Sequence, residues 1–191
     1  MKKKTFRSKY PFRCIYRYIP KRYTSLKGFQ LKQQEIIDRF KVGDIRDDLK
    51  KVILEKILSV IGVHQEKWAV MFIPTSDDYT HEIRYKELTE YLRQNLSCTI
   101  YYDAIIQVGE NTPIHMGGNK NRKYRLIINK NEIKDYNIIV FDDVITTGRS
   151  LRAVGDLLKE NGVRRVMGVI LAMTIHPNNP IKRLSKYKNK I

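Results

Sequence analysis

Apolar positions recur along this chain at two periods, and segments of the two kinds alternate. Between residues 29 and 61 the spacing is helical. Ile36, Ile37 and Phe40 make one patch, and Leu49, Ile53, Leu54, Ile57 and Leu58 make a second. Val42-Gly43-Asp44 interrupts the pattern, which predicts two helices, the second closed by Gly62. WAVMFIP (68–74) is a short apolar run stopped by a proline and reads as a buried strand. TSDDYTHE then reads as a polar loop, IRYKELTEYLRQNL (83–96) as a helix and CTIYYDAIIQV (98–108) as strand-like. GENTPIHMGGNKNRKYR (109–125) has the glycines and polar residues of a long loop. DYNIIVFDD is a strand ending in two acids. RSLRAVGDLLKENG is a helix with an Asn-Gly stop, and VRRVMGVILAMTI is another buried strand. Strands that alternate with helices predict a parallel sheet covered on both faces, an α/β fold.

NIIVFDDVITTGRSL (137–151) carries the chemistry. In an open α/β sheet, ligands bind beyond the carboxyl ends of the strands, where Asp142 and Asp143 are placed. The next helix is predicted to start near Gly148 or Arg149. Its first amides lack intrahelical partners and sit at the positive end of the helix dipole, which favours an anion. Gly148 permits a sharp turn or close backbone approach, and Thr146, Thr147 and Ser150 add hydroxyl donors. That combination describes a monophosphate cradle. The neighbouring carboxylates do not favour phosphate. They accept hydrogen bonds from a vicinal diol, or sit near a divalent cation. A diol beside a monophosphate is a ribose 5-phosphate. Simple helix capping needs one acid, not two after a run of buried apolar residues.

Composition sets the outer bounds. A chain of 191 residues suffices for one domain with a core, and 42% apolar residues exclude a disordered chain. No apolar run approaches the roughly 20 residues that span a bilayer, and the basic N-terminus is followed by no apolar h-region. A cytoplasmic protein is expected. Two cysteines, Cys14 and Cys98, build neither a zinc cluster nor a disulfide framework. The net charge of +17 is concentrated at the ends: residues 1–34 hold eleven Lys/Arg and residues 178–191 hold five, with no acid in either. Such ends suit a phosphate-bearing polymer or serve as solubilising tails. KYPFRCIYRYIPKRY (9–23) interleaves aromatics with cations, as an arm over the sheet or a stacking surface for single-stranded nucleic acid. The expected organisation is a basic arm (1–28), an α/β domain (29–177) and a basic tail (178–191).

IIVFDDVITTGRSL closely resembles the phosphoribosyl pyrophosphate (PRPP) binding signature of the type I phosphoribosyltransferases. QQEIIDRFKVGD and FIPTS resemble, more weakly, the ComF-like branch of that superfamily, over roughly residues 30–175. The chain departs from that branch in lacking a cysteine zinc finger, and HEIRYKEL stands where an RGFNQ-like run is usual. The resemblance implies a central parallel sheet flanked by helices with a small N-terminal helical hood. It also implies Mg2+-dependent transfer of phosphoribosyl from PRPP to a nitrogen acceptor, with release of pyrophosphate through an oxocarbenium-like transition state. Carried across, Asp142 and Asp143 hold the ribose hydroxyls, and Thr146, Thr147, Gly148, Arg149 and Ser150 hold the 5-phosphate. Thr75 and Ser76 lie in the pyrophosphate loop. Arg84 joins them there, or is an ordinary charge on a helix's first turn. Magnesium comes with the substrate and has no assigned protein ligand.

Loop 109–125 is expected either as a flexible lid, with Lys120, Arg122, Lys123 and Arg125 to balance the leaving pyrophosphate and exclude water, or as a solvated, basic surface loop. The acceptor is unnamed by any motif. The competing reading is a non-catalytic PRPP-fold protein that binds nucleic acid or regulates a partner in DNA uptake or processing. A homodimer is a common outcome for such folds.

Overall fold

The computed structural model describes residues 8–20, 28–108, 125–128 and 133–175. The elements run in the order β1 (Phe12–Tyr18), α1 (Phe29–Lys41), α2 (Asp47–Ile61), β2 (Trp68–Phe72), α3 (Asp78–Asn95), β3 (Thr99–Tyr101), β4 (Ile105–Val108), β5 (Arg125–Ile128), β6 (Asn137–Ile145), α4 (Arg149–Glu160) and β7 (Arg165–Thr174). Five strands form one sheet in the order β1-β7-β6-β2-β3, and every neighbouring pair is parallel. β4 and β5 form a separate antiparallel ribbon.

The central strands alternate between two hydrophobic layers. Val70, Phe72, Ile139, Phe141, Val169 and Leu171 face one side, where Ile37 and Phe40 of α1, Ile53 and Ile57 of α2, and Leu88 and Leu92 of α3 cover them. Ala69, Met71, Ile138, Val140 and Ile170 face the other, against Leu151, Val154 and Leu158 of α4. This is why the strands read as continuous apolar runs: both faces are buried. Burying a side chain such as Ile53 or Phe141 stabilises the fold by about 1.5–3 kcal/mol.

Five sequence expectations change. The helix predicted from residue 83 starts at Asp78, because Asp77 caps it: the Asp77 carboxylate accepts the Thr80 N–H at 2.7 Å. The strand-like segment 98–108 is two strands, split at 102–104, of which only the first belongs to the main sheet. The segment 125–128 closes the expected loop with a strand, β5. β6 does not end at its acid pair but continues through Ile145. Residues 12–18 form no separate arm over the sheet; they are its edge strand, registered on β7 from Phe12↔Gly168 to Tyr18↔Thr174. Their aromatic–basic alternation is the period-two pattern of a half-buried strand. The two N-terminal helices lie in the layer that α3 completes. The C-terminal tail 178–191 lies outside the described residues.

Candidate active site

The connections place the site. From β2 the chain passes through α3 to β3 on one side of the sheet order. From β6 it passes through α4 to β7 on the other. α3 and α4 pack on opposite faces, so the strand order reverses between β2 and β6 and leaves a crevice at their carboxyl ends. β2 pairs with β6 as far as Phe72↔Phe141, and Asp142 and Asp143 are the next residues beyond.

An aromatic floor supports the two acids. Phe72 and Tyr85 stack at 4.8 Å between ring centroids, and Phe141 meets Tyr85 edge-on at 6.2 Å and Phe40 at 6.1 Å. The Asp143 N–H donates to Asp142 Oδ1 at 2.9 Å, and the Val144 N–H donates to Asp143 Oδ1 at 2.6 Å. Asp143 is 8% exposed, and Arg84 Nη1 donates to its Oδ2 at 3.1 Å. Asp142 keeps part of its surface open, yet its carboxyl has lost its hydration to the surrounding protein. That desolvation, with the Asp143 charge next to it, holds its pKa well above the ordinary carboxylate value. Burial likewise raises the Tyr85 phenol, with Asp142 and Asp143 adding to the effect.

Two helix starts face this end of the sheet, and they differ. At α3 the terminus is closed by its own side chains. Asp77 takes the Thr80 N–H, the Thr80 hydroxyl at 2.9 Å and the Ser76 hydroxyl at 2.8 Å, and Thr75 Oγ1 donates to the Asp77 carbonyl at 2.8 Å. Thr75 and Ser76, expected in a pyrophosphate loop, are thus drawn into a cap. At α4 the cap residue is Gly148, left-handed at φ 72°, ψ 13°, with no side-chain cap bond. Thr146, Thr147, Arg149 and Ser150 surround it and are all exposed. The structure therefore brings together the acid pair and an open helix terminus, with four residues between them in the chain.

Phosphoribosyl chemistry is what the family comparison returns as well. The sequence model of the phosphoribosyl transferase domain matches residues 87–191, more than half of the chain. The chain belongs to the phosphoribosyl transferase domain family. It is a phosphoribosyltransferase, and PRPP-dependent phosphoribosyl transfer is its reaction class. Two similar solved structures are a hypoxanthine phosphoribosyltransferase from Staphylococcus aureus and a hypoxanthine-guanine phosphoribosyltransferase from Bacillus anthracis. The first is 12% identical over 76% of each chain, with a TM-score of 0.39. The second is 13% identical over 75% of this chain and 79% of its own, with a TM-score of 0.43. No curated protein matches.

Arg84 lies on the second turn of α3, neither on its first turn nor among the capping residues, and also donates through Nε to the Lys41 carbonyl at 3.3 Å. Lys120, Arg122 and Lys123 lie outside the described residues, and Arg125 opens β5. Among the described residues no three His, Cys, Asp or Glu side chains converge to hold a metal ion.

Sequence reading missed several residues at this end of the phosphoribosyltransferase sheet. A cavity of about 420 Å³ opens beside Thr146, lined also by Tyr18, Pro20, Lys41, Val144 and Thr174. Thr174 Oγ1 lies 2.9 Å from Thr146 Oγ1, and Lys41 Nζ lies 5.4 Å from the Tyr18 ring centre. Tyr18 and Thr174 end two paired strands far apart in sequence, so no local signal marks them. A second cleft of about 640 Å³ runs from Thr75 along α3 to His81, Tyr102 and Gln107. No described helix is long and apolar enough to cross a membrane.

Proposed function

We propose that this phosphoribosyltransferase binds PRPP with magnesium and transfers its ribose 5-phosphate to a nitrogen acceptor, releasing pyrophosphate. The observation that carries this reading is the uncapped α4 terminus at Gly148 next to the Asp142–Asp143 pair. The 5-phosphate accepts hydrogen bonds from the first amides of α4 and from the hydroxyls of Thr146, Thr147 and Ser150, with Arg149 adding charge. Asp142 and Asp143 accept hydrogen bonds from the ribose diol and orient the ring. Magnesium neutralises charge on the departing pyrophosphate. The carboxylates also place negative charge near a ring that becomes cationic in the transition state, and the dry aromatic floor strengthens that interaction. The Thr75–Ser76 turn lies at the end of β2 next to β6, where the pyrophosphate end of PRPP extends if the 5-phosphate occupies α4. A cytoplasmic location accords with a phosphorylated donor.

Calorimetric titration of PRPP with magnesium tests the site. The wild type is expected to bind, and the Asp142→Asn/Asp143→Asn double variant is expected to lose binding by at least tenfold, about 1.4 kcal/mol. A folded wild type that does not bind PRPP refutes the reading. The +17 charge, concentrated at the chain ends, favours a second reading in which those ends engage nucleic acid.

A further inference from the structure

Arg84 hydrogen-bonds to both the acid pair and the end of α1. Its guanidinium spans from the Lys41 carbonyl, the last turn of α1, to Asp143 Oδ2. Both members of the ion pair are largely buried, at 21% and 11% side-chain exposure. Asp143 therefore has each oxygen engaged, Oδ1 by the Val144 N–H and Oδ2 by Arg84, whereas Asp142 is the acid whose surface stays partly open. The contact also closes a gap in the fold. The α1 terminus turns at Gly43, where a Cβ would lie 2.6 Å from the Ile83 carbonyl oxygen, so α1 and α3 meet backbone to backbone beside Arg84.

We propose that Arg84 is a positioning residue for phosphoribosyl transfer: it holds Asp143 in a fixed orientation and ties it to the end of α1, so that Asp142 presents to the ribose. The proposal rests on the ribose-binding reading of the acid pair. A planar guanidinium with donors on two edges suits this task, because one edge takes the helix carbonyl and another takes the carboxylate. A cation there also offsets the charge that gathers where two acids sit side by side over an aromatic floor. Among the described residues, the titratable and charged groups that act on the pair are Arg84 and Tyr85, both from α3. From α1 the pair's partner Arg84 takes only a main-chain carbonyl, and the Lys41 ammonium lies over Tyr18 instead.

The test compares Arg84→Gln, Arg84→Lys, Asp143→Asn and the Arg84→Gln/Asp143→Asn double variant. PRPP affinity is measured by calorimetry with magnesium between pH 6 and 9, on proteins checked for folding by circular dichroism. Arg84→Gln is expected to weaken PRPP binding by about tenfold or more and to move the midpoint of its pH dependence upward. Arg84→Lys is expected to restore part of the affinity and the wild-type midpoint, because it keeps the charge and loses the fork. The double variant is expected to bind no more weakly than Asp143→Asn alone, since Arg84 acts through that carboxylate. Unchanged affinity and pH dependence in Arg84→Gln overturn the proposal, and so do losses that multiply in the double variant, which indicate a separate contact with the donor. Titration of the Asp142 carboxyl carbon by 13C NMR gives a readout without PRPP. A wild type that fails to bind PRPP refutes the ribose reading, while the positioning role still stands or falls on whether Arg84→Gln moves that titration upward. If Arg84→Gln does not fold, the Arg84→Lys titration decides, with a wild-type curve expected and a displaced one contrary.

Discussion

The two neighbouring acids, alike in sequence, have opposite effects on stability. Asp143 is neutralised by Arg84, so Asp143→Asn is expected to lower unfolding free energy by about 2–3 kcal/mol, read from urea denaturation, because it leaves a largely buried guanidinium without its partner. Asp142 has no such cation of its own, and desolvation raises its pKa in the folded state. Below the ordinary carboxylate pKa both folded and unfolded chains hold the proton, and the residue costs nothing. As pH rises above that value the unfolded chain releases a proton that the folded chain retains, so stability falls until the folded pKa is reached. Asp142→Asn is therefore expected to raise the melting temperature at neutral pH, with the gain vanishing towards pH 4. A variant that destabilises at every pH contradicts this. The cysteines are a simpler case. Burial pushes the Cys14 thiol up to about 12 and Cys98 up to about 11, so both are expected to resist alkylation by iodoacetamide at pH 8 in the native state and to react on unfolding.

Helix termini and strand packing set the behaviour of whole elements. Asp77 caps α3 and its loss leaves the Thr80 amide unmet; Asp77→Ala is expected to cost about 1 kcal/mol in stability. Ribose 5-phosphate, if it docks at α4, raises stability by about 2.7 kcal/mol at a hundredfold excess over its Kd. Thermal shift measurements on Asp77→Ala are expected to show a lower baseline with the ligand increment intact. β1 shows how an element can depend on the absence of a side chain. A Cβ on Gly168 would lie 2.8 Å from the Phe12 Cβ, and one on Gly155 would lie 2.4 Å from the Tyr10 ring. Gly155→Ala is expected to destabilise by about 1–3 kcal/mol, by displacing Tyr10 and its 2.7 Å hydrogen bond to Asp156. The sequence offered no warning of this: each glycine sits in a segment whose periodicity is regular, and the clashes exist because β1 pairs with β7 and Tyr10, just before β1, packs on α4.

Charge is a property of the whole molecule, and here its location separates the two proposed readings. Residues 35–177 carry nearly balanced charge, while the ends carry the excess. Binding of a polyanion by those ends should fall steeply with salt, with a log–log slope near −0.9 per neutralised phosphate on duplex DNA. On the proposed reading, phosphoribosyl transfer runs at a mostly buried ion pair over an aromatic floor and is screened much less. Measuring both between 50 and 300 mM salt is expected to dissociate DNA while transfer persists. Transfer that falls in parallel with DNA affinity would tie the reaction to the basic ends.

The strand–helix alternation, the buried character of β2, β6 and β7, and the acid pair before a glycine-opened helix were all legible in the sequence, because each rests on periodicity or on backbone chemistry within about fifteen residues. The open terminus at α4 was legible too, since Gly148 offers no capping side chain. Only the tertiary structure decided that an aromatic–basic N-terminal segment is a sheet strand, that Asp77 rather than a ligand fills the start of α3, and that Arg84 pairs with Asp143. Strand partners and long-range ion pairs are chosen by which groups the assembled sheet brings within a few ångströms, whereas the Asp77 cap is a local contact with Thr80 that forms as the chain turns into α3. Arg84 and Asp143 are 59 residues apart in the chain and 3.1 Å apart in space.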